Sequence, residues 1–183
     1  VQVREDEVLQ RADKNPNTQG CLELGLGRSG VDPILAACRA GKVKALVLQG
    51  PELLQAAEAR EALAKVPFVA VFATHEGPEL EGAHAVLPRA LWAEAEGTFT
   101  NYARRVQRLK RAVPPPGEAL PAWEIAAGLL ARLDSPLPAS SPREVFALLA
   151  EAEPLFHGLD YKALGGAGRV LPARDAAPSK AGA

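Results

Sequence analysis

The chain has 183 residues, is 48% hydrophobic and 23% charged, and carries a formal net charge of −1. That length supports a real core, and the near-zero charge gives no electrostatic case for a nucleic-acid or anionic-membrane partner. The longest apolar runs, such as Ala45–Leu48 and Phe68–Ala73, fall far short of the roughly 20 residues that cross a bilayer, so no direct membrane insertion is expected.

In chain order, Val1–Arg28 is polar and is broken by the turn signal Asn15-Pro16-Asn17. Val1–Gln10 is acidic and unlike a signal peptide. Methionine is absent, including at position 1, so the chain reads as a segment of a longer polypeptide. Gly25-Leu26-Gly27-Arg28-Ser29-Gly30 spells G-x-G-x-x-G. A dinucleotide fingerprint needs a strand before it and a helix opening inside it. Cys21–Leu24 is a poor strand, so a loop is the preferred reading. Asp32 as N-cap, with Pro33 at the first helical position, predicts a helix over Pro33–Ala40 stopped by Gly41.

Val43–Leu48 reads as a buried strand, and Glu52–Lys65 as a helix with apolar positions Leu53, Leu54, Ala57 and Leu63. Pro67–Ala73 is a second strand, Glu79–Glu81 a helical turn and His84–Leu87 a third strand. This β-α-β-α-β order predicts an α/β fold, a three-layer parallel sheet with helices on both faces. Such sheets bind ligands at the carboxyl ends of their strands. The candidate loops are therefore Gln49–Glu52, Thr74–Gly77 and Pro88–Ala90.

Arg104–Val113 alternates basic and apolar residues and reads as a solvated strand or edge, with a basic surface for an acidic neighbour as the sharper alternative. Pro114-Pro115-Pro116 is a stiff spacer, and Pro121–Leu133 a helix with Ile125, Leu129 and Leu133 on its apolar face. Ser141-Pro142-Arg143-Glu144 fits a capping box that opens a helix through Ala152, stopped by Pro154. The expected organisation is a polar, glycine-rich lead-in over 1–30, an α/β domain over 31–134 and a linker over 135–142. A C-terminal helix and loop over 143–168 and an unstructured tail over 169–183 follow. The C-terminal helix is expected to dock, because its length is too short for stability alone.

Little in the chain announces a reaction. Cys21 and Cys38 are too few and too far apart for a zinc or iron–sulfur site and read as a pair of buried thiols, with a disulfide as the alternative. His75 beside Glu76 is the best acid/base candidate, but no nucleophile or metal partner accompanies it, so a solvated or structural role is the default. Glu94 and Glu96 suit capping or pairing with Arg104 or Arg105. Thr98, Thr100 and Asn101 suit the fixing of an irregular loop, and Trp92 and Trp123 read as core anchors. No catalytic residue and no metal ligand is assigned.

The stretch Ala83–Gln107, with Trp92, Glu94, Gly97-Thr98-Phe99-Thr100-Asn101 and Arg105-Val106-Gln107, resembles the signature near the end of the third domain of molybdopterin oxidoreductases. Gly41-Lys42-Val43-Lys44-Ala45-Leu46, Pro115–Leu133 and Phe156–Tyr161 extend the resemblance over most of the chain. It implies the parallel three-layer fold of that domain, plus a C-terminal helical extension. Within the superfamily, Asn15–Cys21 and the Leu-Gly stretch after it resemble the largest peripheral iron–sulfur subunit of respiratory complex I. Two departures favour that reading: Tyr102-Ala103-Arg104 stands where most relatives have Glu-Gly, and too few residues follow Asp134 for a cofactor-covering barrel.

The complex I resemblance implies a redox-silent scaffold within an NADH–quinone oxidoreductase. The parent would hold FMN and four-iron and two-iron iron–sulfur clusters, with no cofactor in this segment. Other peripheral-arm subunits would be its partners, on the cytoplasmic side of the bacterial inner membrane. The matching residues Glu94, Gly97, Thr98, Asn101, Arg105 and Gln107 would be structural. The alternative is part of a molybdopterin enzyme such as a formate dehydrogenase or nitrate reductase, with cofactor contacts at Gly50, Glu52, Thr74 and Glu76. A free-standing α/β binding module is the second alternative.

Overall fold

The computed structural model describes residues 16–27 and 30–172. The acidic start, the middle of the G-x-G-x-x-G string and the stretch 173–183 lie outside the described residues; of the tail expected to be unstructured over 169–183, Arg169–Val170 instead form a strand. The chain groups into two compact units. One combines Gly27–Glu96 with Lys110–Ala139, and the other combines the described residues up to Leu26 with Gly97–Leu109 and the stretch from Ser140 onward.

The first unit is α/β. It holds helix α2 (Asp32–Arg39), strand β1 (Ala45–Leu48), helices α3 (Glu52–Gln55) and α4 (Ala57–Leu63), strands β2 (Phe68–Ala73) and β3 (Ala85–Pro88), and helix α5 (Ala122–Arg132). The strands form a parallel sheet in the order β1-β2-β3. Side chains alternate along each strand. Val69, Val71 and Ala73 therefore share one face with Leu46 and Leu48, under Leu35 and Cys38 of α2, Leu54 of α3 and Ala59, Ala62 and Leu63 of α4. On the other face Ala70 and Phe72 are buried, while Val47 stays half exposed. Each fully buried Val or Leu contributes about 1.5–3 kcal/mol of transfer free energy.

Two helix starts differ from expectation. Asp32 is the first helical residue of α2 rather than its N-cap, a position held by Val31 without a side-chain bond. The helix expected over Glu52–Lys65 is broken at Ala56, whose ψ of 115° is extended. At about 100° per residue, a continuous helix would put Leu54 and Leu63 on opposite sides. The break lets both enter one core, and the Arg60 guanidinium donates to the Leu54 carbonyl at 3.0 Å. Gly25 and Gly27 follow helix α1 (Thr18–Glu23), not a strand, so the context of a dinucleotide fingerprint is missing.

The second unit is built on an antiparallel sheet. Gly97–Thr100 was expected to be an irregular loop, but it forms β4, paired with β5 (Arg105–Leu109). Asn101 makes the hairpin turn: its side-chain oxygen accepts from the backbone N–H groups of Ala103 and Arg105, both at 3.0 Å. Arg104 takes a φ of 60° there, and its guanidinium pairs with Glu23 at 2.7 Å. β6 (Arg169–Val170) adds to the other side of β5. Helix α6 (Pro142–Ala152) docks through Phe146 and Ala150 onto a core with Val106, Phe156, Leu171 and, from helix α7 (Tyr161–Leu164), Tyr161 and Leu164. The basic run is thus strand β5, with Val106 fully buried and the Arg108 guanidinium 4.3 Å above the Tyr161 ring.

Candidate functional site

The carboxyl edge of the parallel sheet is where the topology concentrates chemistry. β1 ends at Leu48, β2 at Ala73 and β3 at Pro88. Neighbouring strands lie roughly 4.8 Å apart, so the loops that leave them share one edge. Gly50, Glu52, Thr74 and Glu76 all sit on it. Gly50 is buried with a φ of 123°, a conformation that strains any residue with a Cβ, and the Glu52 carboxylate folds over its Cα.

After β2, Thr74 Oγ1 lies 3.1 Å from His75 Nδ1, and His75 Nε2 lies 2.9 Å from Glu79 Oε1. Both ring nitrogens are engaged by neighbours in the same loop, so His75 fastens that loop rather than standing free as a base. Glu79 in turn folds over Gly77 as Glu52 does over Gly50. The sequence carries a signal for this that the motif reading passed over. Gly-Pro-Glu-Leu occurs twice, at Gly50–Leu53 and at Gly77–Leu80, once after each of two adjacent parallel strands.

The end of β3 adds residues that sequence reasoning also missed. The Arg89 N–H donates to the Ala73 carbonyl at 2.7 Å, which sets Arg89 beside Thr74 at the edge. Its Nε is buried without a hydrogen-bond partner. The chain then turns through Trp92–Glu94. Glu94 accepts from the Leu91 N–H at 2.8 Å, so it caps this turn, while Arg104 is taken by Glu23. Trp92 is not a core anchor: it is 67% exposed. Between β3 and α5 runs a groove of about 370 Å³ with Leu87, Pro88, Leu120, Ile125 and Leu129 in its walls.

Cys38 is buried as expected, and Cys21 is exposed. Among the described residues, no group of three or more His, Cys, Asp or Glu side chains is placed to hold a metal ion. No helix among them is long and apolar enough to cross a membrane.

A parallel sheet with a polar carboxyl edge defines a class of ligand-binding α/β domain, and comparison with known proteins narrows it. Residues 11–132 match the molybdopterin oxidoreductase family, and the chain belongs to that family. It is 42% identical over 94 residues to the F420-dependent formate dehydrogenase 2 subunit alpha of Methanococcus maripaludis, covering 50% of this chain and 14% of that protein. It is 35% identical over 146 residues to the putative formate dehydrogenase YrhE of Bacillus subtilis, covering 76% of this chain and 15% of that protein. The chain thus spans about a seventh of the length of these relatives. The acetylene hydratase of Pelobacter acetylenicus has the same fold, with a TM-score of 0.55 and 21% identity over 70% of this chain and 19% of that one.

These relatives correct the complex I reading. A redox-silent scaffold of an NADH–quinone oxidoreductase is contradicted by matches to formate dehydrogenase subunits, which favour the molybdopterin alternative. The departure at Tyr102-Ala103-Arg104 that had favoured complex I does not exclude the wider family, because those residues form the tip of the β4–β5 hairpin.

The residues at the sheet edge offer groups of the kind a pterin cofactor would need. Glu52 offers acceptors for the N–H-rich edge of an amino-substituted heterocycle. Thr74 offers a hydroxyl. Arg89 offers a planar cation suited to phosphate, with one donor still unpaired.

Proposed function

We propose that this chain is the part of a molybdopterin-dependent oxidoreductase whose sheet edge helps hold the cofactor, and that the parent enzyme oxidises formate. The observation that carries this is the convergence of Gly50, Glu52, Thr74 and Glu76 on the carboxyl edge of a parallel sheet in a member of this family. The names of the relatives supply the substrate class.

The chain's own residues bind and orient. Gly50 leaves room for the Glu52 carboxylate to fold over it, and Glu52 and Glu76 accept N–H groups. The Thr74 hydroxyl serves as donor or acceptor, and Arg89 neutralises phosphate charge. The Thr74–His75–Glu79 chain of contacts keeps the β2 loop in one conformation. When bound, molybdopterin supplies a redox metal able to take two electrons from the substrate.

The test is to purify the full-length native protein, measure its molybdenum and tungsten, and follow formate-dependent reduction of a viologen dye. Stoichiometric metal together with formate-dependent reduction is the expected result. Metal without any response to formate would overturn the substrate assignment. Absence of both metals and of any pterin would overturn the reading altogether.

A further inference from the structure

The break between α3 and α4 borders a second cavity, away from the carboxyl edge. It measures about 250 Å³, and Leu54, Arg60, Leu63, Ala64, Glu81 and His84 stand in its walls. His84 immediately precedes β3 and pairs with Val69 near the start of β2. The cavity therefore lies at the amino end of the sheet, roughly 13 Å from the end of β2 at 3.3 Å per residue.

Two of its polar groups are held in fixed states. The Arg60 Nε–H donates to the Leu54 carbonyl at 3.0 Å, which sets the plane of the guanidinium and leaves its two terminal NH2 groups for other acceptors. The Val69 N–H donates to His84 Nδ1 at 3.1 Å, and the His84 N–H donates to the Val69 carbonyl at 2.8 Å. A backbone N–H only donates, so Nδ1 is the bare nitrogen and the ring proton sits on Nε2. In that state the imidazole is a neutral donor. The Glu81 carboxylate adds an acceptor. Among the described residues no ion pair joins Arg60 to Glu81, although one cavity holds both.

A cation, an anion and a neutral donor beside apolar wall complement a ligand that carries both charges itself. The volume falls below the roughly 300–1,000 Å³ of sites for drug-sized molecules, so the ligand is small. We propose that this cavity binds a free α-amino acid with a short apolar side chain. Its carboxylate meets Arg60 and His84, its ammonium meets Glu81, and its side chain rests against Leu54, Leu63 and Ala64. The site is separate from the sheet edge and does not rest on the function proposed above.

Calorimetry on the full-length protein tests this with L-valine and two analogues: isovalerate, which lacks the ammonium, and isobutylamine, which lacks the carboxylate. L-valine should bind saturably, and each analogue about tenfold more weakly or worse, the effect of losing hydrogen bonds to a charged group. Glu81→Gln should weaken L-valine by a similar factor and leave isovalerate unchanged. His84→Asn keeps an acceptor for the Val69 N–H while removing the Nε2 donor, so it should weaken both acids and spare isobutylamine. Amide exchange at 82–84 should slow when L-valine is added. No saturable heat through millimolar L-valine, isovalerate binding as tightly as L-valine, or L-valine binding that either substitution leaves untouched would overturn the site.

Discussion

Gly168 and Gly158 show how differently two glycines with the same backbone sign constrain the chain. Their φ values are 73° and 77°. A Cβ at Gly158 would meet open space, whereas one at Gly168 would run into the backbone carbonyl of Val106 on β5. Gly158→Ala should therefore cost only the left-handed penalty, about 1–2 kcal/mol. Gly168→Ala should cost more, about 3 kcal/mol or above, because β5 cannot give way without losing its ladder. Chemical denaturation of the two variants side by side measures the difference, and equal costs would contradict the close approach. At this scale the sequence was least legible. The residue type of Trp92 says core, and only the bonds that fix its turn reveal it as exposed. Arg89 gave no signal on its own, because its meaning comes from standing beside Ala73, sixteen positions away.

Elements whose signals are local were read well. Ser141 accepts from the Glu144 N–H at 3.3 Å, and α6 begins at Pro142 as its capping pattern predicts. The box is displaced by one residue, since Glu144 reaches back to the N–H and hydroxyl of Ser140, at 2.6 and 2.8 Å. Those two bonds, the backbone one first, hold the Glu144 carboxyl below its usual range. A carboxyl depressed in the folded state contributes stability that is present above its unfolded pKa and lost as pH falls through its folded one. Amide exchange at the start of α6 should therefore accelerate as pH falls below about 4.3, once intrinsic exchange rates are corrected. Glu144→Gln should exchange faster at neutral pH and lose that dependence, and a pH-independent wild-type cap would contradict the assignment.

The same helix docks through Phe146, whose ring packs against Phe156 and Tyr161 at 6.3 and 5.8 Å. Phe146→Ala should destabilise its unit by about 3–5 kcal/mol, as buried Phe truncations do. A loss below about 1 kcal/mol in a thermal melt would mean that the helix is not anchored there. The broken α3–α4 segment and the β4–β5 hairpin escaped the sequence reading for a shared reason. Each is decided by what the element packs against rather than by its own periodicity. Leu54 and Leu63 reach one core only through a break, and Gly-Thr-Phe-Thr lacks the apolar alternation that advertises a strand.

For the molecule as a whole, the parallel α/β class followed directly from three short apolar runs separated by helical segments. The ladders β1–β2 and β2–β3 match that order. The family was also legible, because a long ordered signature survives where single motifs are ambiguous. The branch within it was not. Asn15–Cys21 and two small departures pointed to complex I, while the relatives similar to this chain over 94 and 146 residues are named as formate dehydrogenases. The edge residues Gly50, Glu52, Thr74 and Glu76 could be named from strand ends alone, but the repeated Gly-Pro-Glu-Leu turn and Arg89 needed the register.

The central claim is that this edge holds the cofactor, and pterin content tests it most directly. The full-length enzyme and its Gly50→Val and Gly158→Val variants would be oxidised under acid, and the released pterin measured by fluorescence per mole of protein. Gly50→Val should fall well below the parent, because its side chain displaces the Glu52 carboxylate, while Gly158→Val should match the parent. Full pterin in a folded Gly50→Val enzyme, or none in the parent, would contradict the account.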